Sequence, residues 1–312
     1  MANTPSISEE FSPKLSPTKH TIMEVVSPKL SPTKHTIMEV VSPKLPLPTK
    51  YSIMEEAKAS RSREFHINHD IPPSNLQKTV AELVGTYFLI FAGCAAALVN
   101  EVQTLTIVGI AIVWGLVLMA AIYALGHISG AHFNPAVTLA LAAARKFSWK
   151  LVPMYLLAQL LGAALASLTL RVLFHDQGGI QATMTQYKDS TSDLEAITWE
   201  FIITFILMFN ICAVATDHRA SRDLAGVAIG ATLLFNVIIA GPITGASMNP
   251  ARSLGPAVVS GVYKNLWVFI VAPILGAMAA TLVYSILRVP KPEKPDESTK
   301  SMYNELYIHP EV

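Results

Sequence analysis

The sequence predicts an all-α membrane protein with six transmembrane helices and two re-entrant half-helices, arranged as an inverted repeat. Three observations predict this fold class. Of the 312 residues, 52% are hydrophobic and only 14% are charged, whereas about 25% are charged in ordinary soluble domains. Six apolar stretches approach the length that crosses a bilayer. The tripeptide Asn-Pro-Ala also occurs twice in similar surroundings, at Asn134-Pro135-Ala136 and at Asn249-Pro250-Ala251.

Residues 1–74 are polar, rich in proline and repetitive. A 15-residue unit starts at Ser12, repeats from Ser27 and returns in a degenerate form at Ser42. The unit is too short and too often interrupted by proline for a helical solenoid. Because it buries little apolar surface, we expect a disordered tail, which lacks the early apolar core of a signal peptide. A docking or phosphorylated tail and a tandem duplication without a role both stay open.

The apolar stretches that follow Lys78 predict the spanning helices. They cover about 80–99, 105–125, 151–174, 197–215, 224–240 and 266–287, and the fifth is near the short limit. Each Asn-Pro-Ala predicts the start of a shorter helix, because Asn is a favoured N-cap and Pro suits the first helical position. The segments that follow, 136–145 and 251–259, cross roughly half of a ~30 Å hydrocarbon core at ~1.5 Å per residue.

The helices divide into two units of three spans and one half-helix each. Glu82 and Glu200 stand at matching points in the first span of each unit. Because three is an odd number, the second unit is inverted relative to the first. The half-helices then enter from opposite faces and can meet near the midplane, an arrangement typical of a pore or a transporter site.

The distribution of charge predicts orientation. Basic residues collect on the side of both chain ends, among them Arg145, Lys146 and Lys150, whereas the loop 176–195 is mainly acidic. The positive-inside rule therefore places both termini in the cytosol.

The net charge of +1 gives no indication of nucleic-acid binding. Cys94 and Cys212 lie inside apolar runs, so we expect no disulfide framework, metal site or cofactor.

Both motifs, both glutamates and the Arg252 that follows the second motif make residues 78–288 resemble the aquaporins, the major intrinsic protein family. Within that family, segments 126–138 and 236–256 are most similar to the plant nodulin-26-like branch. The resemblance implies an aquaporin-like channel domain over 75–290, between cytosolic tails at 1–74 and 291–312. It implies a homotetramer in a lipid bilayer, with the plasma membrane as the expected location and other plant membranes as alternatives.

The same resemblance implies passive conduction of water and small neutral solutes, with ions and protons excluded. Two helix N-termini facing each other across a pore present partial positive charge and free backbone donors, which disfavours cations. Asn134 and Asn249 can also offer amide donors to a passing solute. The pore motif residues are therefore Asn134, Pro135, Ala136, Asn249, Pro250 and Ala251.

Arg252 lies three residues after Asn249, on nearly the same helix face, and an arginine inside a membrane indicates function. The resemblance implies a selectivity filter formed with Trp114, Val237 and Ala246. Since Val237 and Ala246 are small and apolar, we expect passage of glycerol-like polyols, metalloid acids, urea or ammonia. The alternatives are a snorkelling arginine at the membrane border and a tryptophan that only packs.

The resemblance also implies that Glu82 and Glu200 hold the re-entrant loops by accepting backbone hydrogen bonds; a proton relay is the alternative. His127 is expected to brace the first loop. We interpret His132 as a packed neighbour of the motif, with a gate as the alternative.

A secondary transporter is the competing function, because it also uses inverted repeats and broken helices. It would need a charged midplane, and here the midplane holds Asn, Pro and Ala. An enzyme is not expected, since no nucleophile–base set appears.

The resemblance makes Ser298 and Ser301 candidate phosphorylation sites for a kinase, and a solvated, unmodified tail is the alternative.

Overall fold

A computed structural model of the chain describes residues 72–174 and 179–289. The N-terminal repeats and the two candidate phosphorylation sites, Ser298 and Ser301, lie outside the described residues. The α-helices in order are α1 Asn75–Val102, α2 Thr106–Ser129, α3 Pro135–Ala143, α4 Val152–Leu173, α5 Asp193–Ile211, α6 Ala225–Thr244, α7 Pro250–Ser260 and α8 Val268–Leu287. A π-helical turn, Cys212–Thr216, extends α5, and short 3-10 turns flank α4 at Trp149–Leu151 and Gly179–Thr183.

Within the described residues, six helical segments are long and apolar enough to cross a membrane. The two helices that follow the Asn-Pro-Ala motifs, α3 and α7, have only 9 and 11 residues. Large aliphatic side chains are exposed along the outer faces of the spans, where a bilayer covers them. Exposed aromatic side chains lie near the ends of spans, the usual depth of a membrane aromatic belt, at Trp149, Tyr263 and Trp267. The predicted fold class is confirmed.

Several helix ends differ from the sequence prediction: α1 begins at Asn75 rather than 80, α2 ends at Ser129 rather than 125, and α5 begins at Asp193 rather than 197. Two further differences have a local cause. The fifth span is predicted to end at 240, before Gly241-Pro242, but α6 continues to Thr244 and includes Pro242. Membrane helices tolerate an internal proline when neighbouring groups bond to the backbone groups that it frees. The first half-helix ends earlier than predicted, at Ala143, because Arg145 adopts a φ of +58°. The N–H groups of Lys146 and Phe147 then both donate hydrogen bonds to the carbonyl oxygen of Leu141.

The two repeats pack their helices in the same way. Helix α1 lies against α4 in the first repeat, and α5 lies against α8 in the second. A Cβ atom added at Gly162 would lie 2.4 Å from the carbonyl oxygen of Leu83, and one added at Gly276 would lie 2.4 Å from that of Phe201. Both distances are too short for any side chain, so these glycines set how closely each helix pair approaches.

The repeats contact each other most extensively through α2 and α6. Gly115 and Gly230 face each other there, and a Cβ on either would lie within 2.7 Å of the other's carbonyl oxygen. Small residues at such contacts let membrane helices approach closely without a hydrophobic driving force. The close approach brings the two half-helices, α3 and α7, into contact in the middle of the molecule.

We expect Gly276→Ala to lower the thermal unfolding midpoint of the purified protein in detergent by several degrees. The added methyl group collides with the carbonyl of Phe201, and overpacking of this kind typically costs about 1–3 kcal/mol. Gly126→Ala is the matched control, because its added Cβ would come no closer than 3.9 Å to its neighbours. The midpoint is read from loss of the monodisperse elution peak after heating, and equal midpoints for the two variants would contradict the close packing of α5 and α8.

Candidate functional site

Two loops with the same backbone shape lead into the half-helices. Each contains a glycine in the left-handed region, followed by two further positive-φ residues that carry side chains. The first loop has Gly130 (92°), Ala131 (52°) and Phe133 (49°), and the second has Gly245 (82°), Ala246 (47°) and Met248 (53°). Because such conformations cost about 1–3 kcal/mol each outside glycine, they persist only where their surroundings hold them.

A buried carboxylate lies behind the first loop. Oε1 of Glu82 accepts hydrogen bonds from the Ser129 hydroxyl at 2.7 Å and the His132 N–H at 3.0 Å. Its Oε2 accepts from the Phe133 N–H at 2.7 Å and from the Gln159 side-chain amide at 2.8 Å. The side chain of Glu82 therefore joins α1 to the end of α2, the loop and α4.

The second loop repeats this arrangement with Glu200. Its Oε1 accepts from the Thr244 hydroxyl at 2.6 Å and the Ser247 N–H at 2.9 Å, and its Oε2 accepts from the Met248 N–H at 2.9 Å. Thr244 thus takes the place that Ser129 has in the first repeat. Both carboxylates are completely buried.

The structure corrects the expectation for His127. This side chain is exposed in the last turn of α2 and makes no hydrogen bond within residues 72–174 and 179–289. The histidine that packs at the loop is His132, which is buried with Nδ1 3.1 Å from the Thr138 hydroxyl and its ring against those of Phe147 and Tyr155. The helical position of His127 directs it outward, whereas His132 lies beyond the helix end and turns inward.

The two motif asparagines connect the loops reciprocally. Each side-chain oxygen caps its own half-helix, 2.9 Å from the backbone N–H two residues further on. Each Nδ2 donates across the midline at 2.8 Å, Asn134 to the carbonyl of Met248 and Asn249 to the carbonyl of Phe133. Since an amide nitrogen carries two hydrogens, one N–H of each asparagine remains for the cavity that both residues line.

A cavity of about 240 Å³ passes this meeting point. One side of its wall is apolar and is formed by four spanning helices through Leu89, Leu118, Leu207 and Leu233. The other side is formed by the two loops and by Asn134 and Asn249. The wall therefore has a hydrocarbon face opposite a face of polar groups.

Trp114 and Arg252 line one end of the cavity. The guanidinium carbon of Arg252 lies 5.2 Å from the centre of the Trp114 ring, and Nη1 donates to the carbonyl of Thr183 at 2.6 Å. Its Nε is buried and has no hydrogen-bond partner among the described residues. The Trp114 ring lies directly against α1, where a Cβ added at Gly93 would be 2.2 Å from it.

The other two predicted filter residues lie close to this end. Ala246 lines the cavity, and Val237 is buried in the same apolar cluster as Trp114 and Ala246. Within the described residues, the side chains that line the cavity do not include Val237. Trp114, Ala246 and Arg252 therefore line one cavity, and Val237 belongs to the buried apolar cluster that contains Trp114 and Ala246.

Thr216 and Lys146 line the opposite end of the cavity. The carboxylate of Asp217 accepts hydrogen bonds from Nε of Arg219 at 3.0 Å, from its Nη2 at 2.6 Å and from the Tyr284 hydroxyl at 2.9 Å. These bonds from Arg219 hold the pKa of Asp217 well below its usual range. The loop after α5 is therefore tied to the end of α8 beside this mouth.

Sequence reasoning missed several residues that support the site. Gln159 and Thr138 were not singled out, although an amide inside an apolar span is itself a signal of a buried polar contact. Ser129 and Thr244 occupy matching places in the aligned motif flanks, so the repeat could have revealed them. The contact of Gly93 with Trp114 had no signal in the sequence, since it depends on how α1 and α2 pack.

Comparison with known proteins agrees with this geometry. Residues 71–284 match the family model described as major intrinsic protein. The chain is 58% identical to nodulin-26 of Glycine max over 232 residues, which cover 72% of this chain and 83% of that protein. It is 56% identical to aquaporin NIP1-1 of Oryza sativa subsp. japonica over 215 residues, covering 68% and 75%.

A solved structure is also similar. The X-ray structure of the aquaglyceroporin from Plasmodium falciparum matches with a TM-score of 0.61 and 29% sequence identity, covering 68% of this chain and 96% of that one. The resemblance drawn from the two motifs is confirmed by both relatives and structure. The chain therefore belongs to the major intrinsic protein family, and it is a membrane channel for water and small solutes.

Proposed function

We propose that this channel conducts water together with glycerol-like polyols and other small neutral solutes, such as undissociated metalloid acids, urea and ammonia, and excludes ions and protons. The observation that carries the proposal is the two-sided wall of the cavity, with leucines opposite polar loop groups. A polyol has a hydrocarbon edge and a hydroxyl edge, so it satisfies both sides at once. An ion loses its hydration shell there without equivalent compensation.

The polar side offers acceptors as well as donors. The N–H groups of the loops turn away from the cavity to the buried carboxylates. Four loop carbonyls receive no hydrogen bond from the described residues and belong to residues that line the cavity: Ala131, His132, Ala246 and Ser247. Together with the free asparagine N–H groups, they form a row of partners for solute hydroxyls.

We assign solute selection to Trp114, Val237, Ala246 and Arg252. The ring of Trp114 presents apolar surface, and the methyl group of Ala246 leaves the adjacent space open. The guanidinium of Arg252, whose Nη2 makes no hydrogen bond with a described residue and is not among the buried atoms, supplies a hydrogen-bond donor. A hydroxyl group can therefore bind Arg252 while the carbon chain lies along Trp114.

Exclusion of cations follows from the charges around the cavity. The N-termini of α3 and α7 each present roughly half a positive charge, and Arg252 adds a full one. No carboxylate lines the cavity within residues 72–174 and 179–289. Glu82 and Glu200 lie behind the loops, and their oxygens accept hydrogen bonds from loop N–H groups. We assign loop bracing to both.

We infer in addition a homotetramer in the plasma membrane with both chain ends in the cytosol. The structure supports the sidedness, because Arg145, Lys146 and Arg288 gather at one end of the molecule, as the positive-inside rule requires for a cytosolic face. A kinase that modifies Ser298 or Ser301 would act on this side.

Val237→His combined with Ala246→Cys should narrow the filter and reduce glycerol permeability about tenfold, a discrimination typical of a misfit of one or two atoms. The permeability to water should fall much less, because the water molecule is smaller. The measurement is stopped-flow light scattering of proteoliposomes under matched glycerol and osmotic gradients. Val237→Ala is the control that removes volume and should spare both fluxes, and equal loss of both fluxes in the double variant would refute the filter assignment.

Asn249→Asp should admit protons while preserving the half-helix cap. The carboxylate can still accept from the Ala251 N–H, but it no longer donates to Phe133 and places a negative charge in the pore. A unit charge a few ångströms away changes a cation's energy by about 4 kcal/mol at intermediate dielectric, so we expect proton flux to rise at least about tenfold.

Proton entry is followed with a pH-sensitive dye trapped in proteoliposomes under an imposed membrane potential. Asn210→Asp is the matched control, because Asn210 donates to Ala228 and Thr232 away from the cavity wall. Proton flux at the wild-type level in Asn249→Asp would contradict the electrostatic account of ion exclusion.

A further inference from the structure

A second cavity, of about 340 Å³, lies beside the Thr216 end of the pore. It is formed by the end of α3, the π-helical turn after α5 and the last turns of α8. Its polar lining consists of three cations and three hydroxyl groups, from Arg145, Lys146, Arg288, Thr216, Thr281 and Ser285. No carboxylate lines it in the part of the chain that the structure describes.

The positive charge in this cavity is not compensated. Within the described residues, none of the three cations has a carboxylate partner. Arg288 donates to the Thr216 hydroxyl and lies 5.6 Å from the centre of the Tyr284 ring, but its Nε is buried without a hydrogen-bond partner. The carboxylate of Asp217 is occupied by Arg219. Three cations that line one cavity without a carboxylate partner favour an anionic ligand.

The remaining wall of the cavity is apolar and opens to the outside of the helix bundle. Met278 and Leu282 lie on the exposed face of α8, where Leu282 is 68% exposed. Because α8 spans the membrane, this face meets lipid chains. The cavity is at the end of the span, which is the depth of the lipid headgroups.

We propose that this cavity binds the phosphate headgroup of an anionic membrane lipid, whose acyl chain lies along Met278 and Leu282. Arg145, Lys146 and Arg288 supply charged donors to the phosphate oxygens. Basic pockets between spanning helices suit such headgroups, since charge and hydrocarbon are recognised together. A soluble anion would use the cations and leave the apolar wall uncovered.

The two cavities share part of their walls. Leu141, Lys146 and Thr216 line both the pore and the second cavity. A bound phosphate therefore fixes the side chain of Lys146 at the mouth of the pore. The lipid site is in this way connected to the channel although it lies outside the conducting path.

The test is native mass spectrometry of the purified full-length protein, titrated with phosphatidylglycerol or with phosphatidylcholine of the same acyl chains. We expect phosphatidylglycerol to be retained preferentially. Arg145→Gln with Lys146→Gln should lower its affinity about 25-fold, at about fivefold per cation near the headgroups. Both side chains are exposed, so folding is preserved. Unchanged affinity in this double variant would overturn the proposal.

Two matched variants control for charge in general. Lys150→Gln with Arg222→Gln removes two exposed cations at the same end of the molecule that do not line the cavity, and we expect wild-type affinity. Arg145→Lys with Lys146→Arg keeps the cavity's charge and should bind like the wild type. A loss in the Lys150 and Arg222 variant equal to that in the cavity variant would show diffuse attraction and reject the site.

Two competitors identify the occupant. Glycerol 3-phosphate carries the headgroup charge without acyl chains, and we expect it to displace phosphatidylglycerol only weakly. A synthetic peptide of residues 290–305 phosphorylated at Ser301 tests the tail as the occupant, and we expect no displacement. Displacement by either probe at concentrations comparable to the lipid would overturn the lipid assignment.

Discussion

Two buried carboxylates hold the loops on which the rest of the pore depends. Each re-entrant loop contains backbone conformations that are unfavourable for residues with side chains, and each exposes N–H groups inside the membrane. These N–H groups point away from the cavity into the buried side of the loops, where water cannot replace a missing partner. Glu82 and Glu200 accept these hydrogen bonds, and all of their oxygens are engaged. This full engagement favours a structural role over a proton relay.

The same hydrogen bonds determine the chemistry of the pore. Because the loop N–H groups point back to the carboxylates, the loop carbonyls are left for the cavity side. The asparagines add one donor each after linking the loops to each other. The opposite wall comes from leucines on four helices that have no polar partner to offer. A stripe of polar groups facing hydrocarbon is therefore a direct result of how the loops are held.

The two ends of the pore differ in their surroundings. At the Arg252 end, the ring of Trp114 packs closely against α1 at Gly93, and the guanidinium of Arg252 lies over that ring. At the Thr216 end, the wall is shared with a basic cavity that opens toward lipid. The loop beside it is anchored to α8 through Asp217. The selection of solutes that we propose at the Arg252 end is thus separated along the channel from the basic cavity at the other end.

The sequence by itself determined the six spans, the two half-helices and their inverted arrangement, because apolar length and Asn-Pro capping are local properties of the chain. It also indicated both glutamates and Arg252. Only the tertiary structure decided that Gln159 completes the partners of Glu82 and that His132 rather than His127 lies at the loop. The contact of Gln159 with Glu82 requires the close approach of α4 to α1 at Gly162, and the inward turn of His132 depends on how the loop folds back after α2. A local sequence pattern carries no information about either contact.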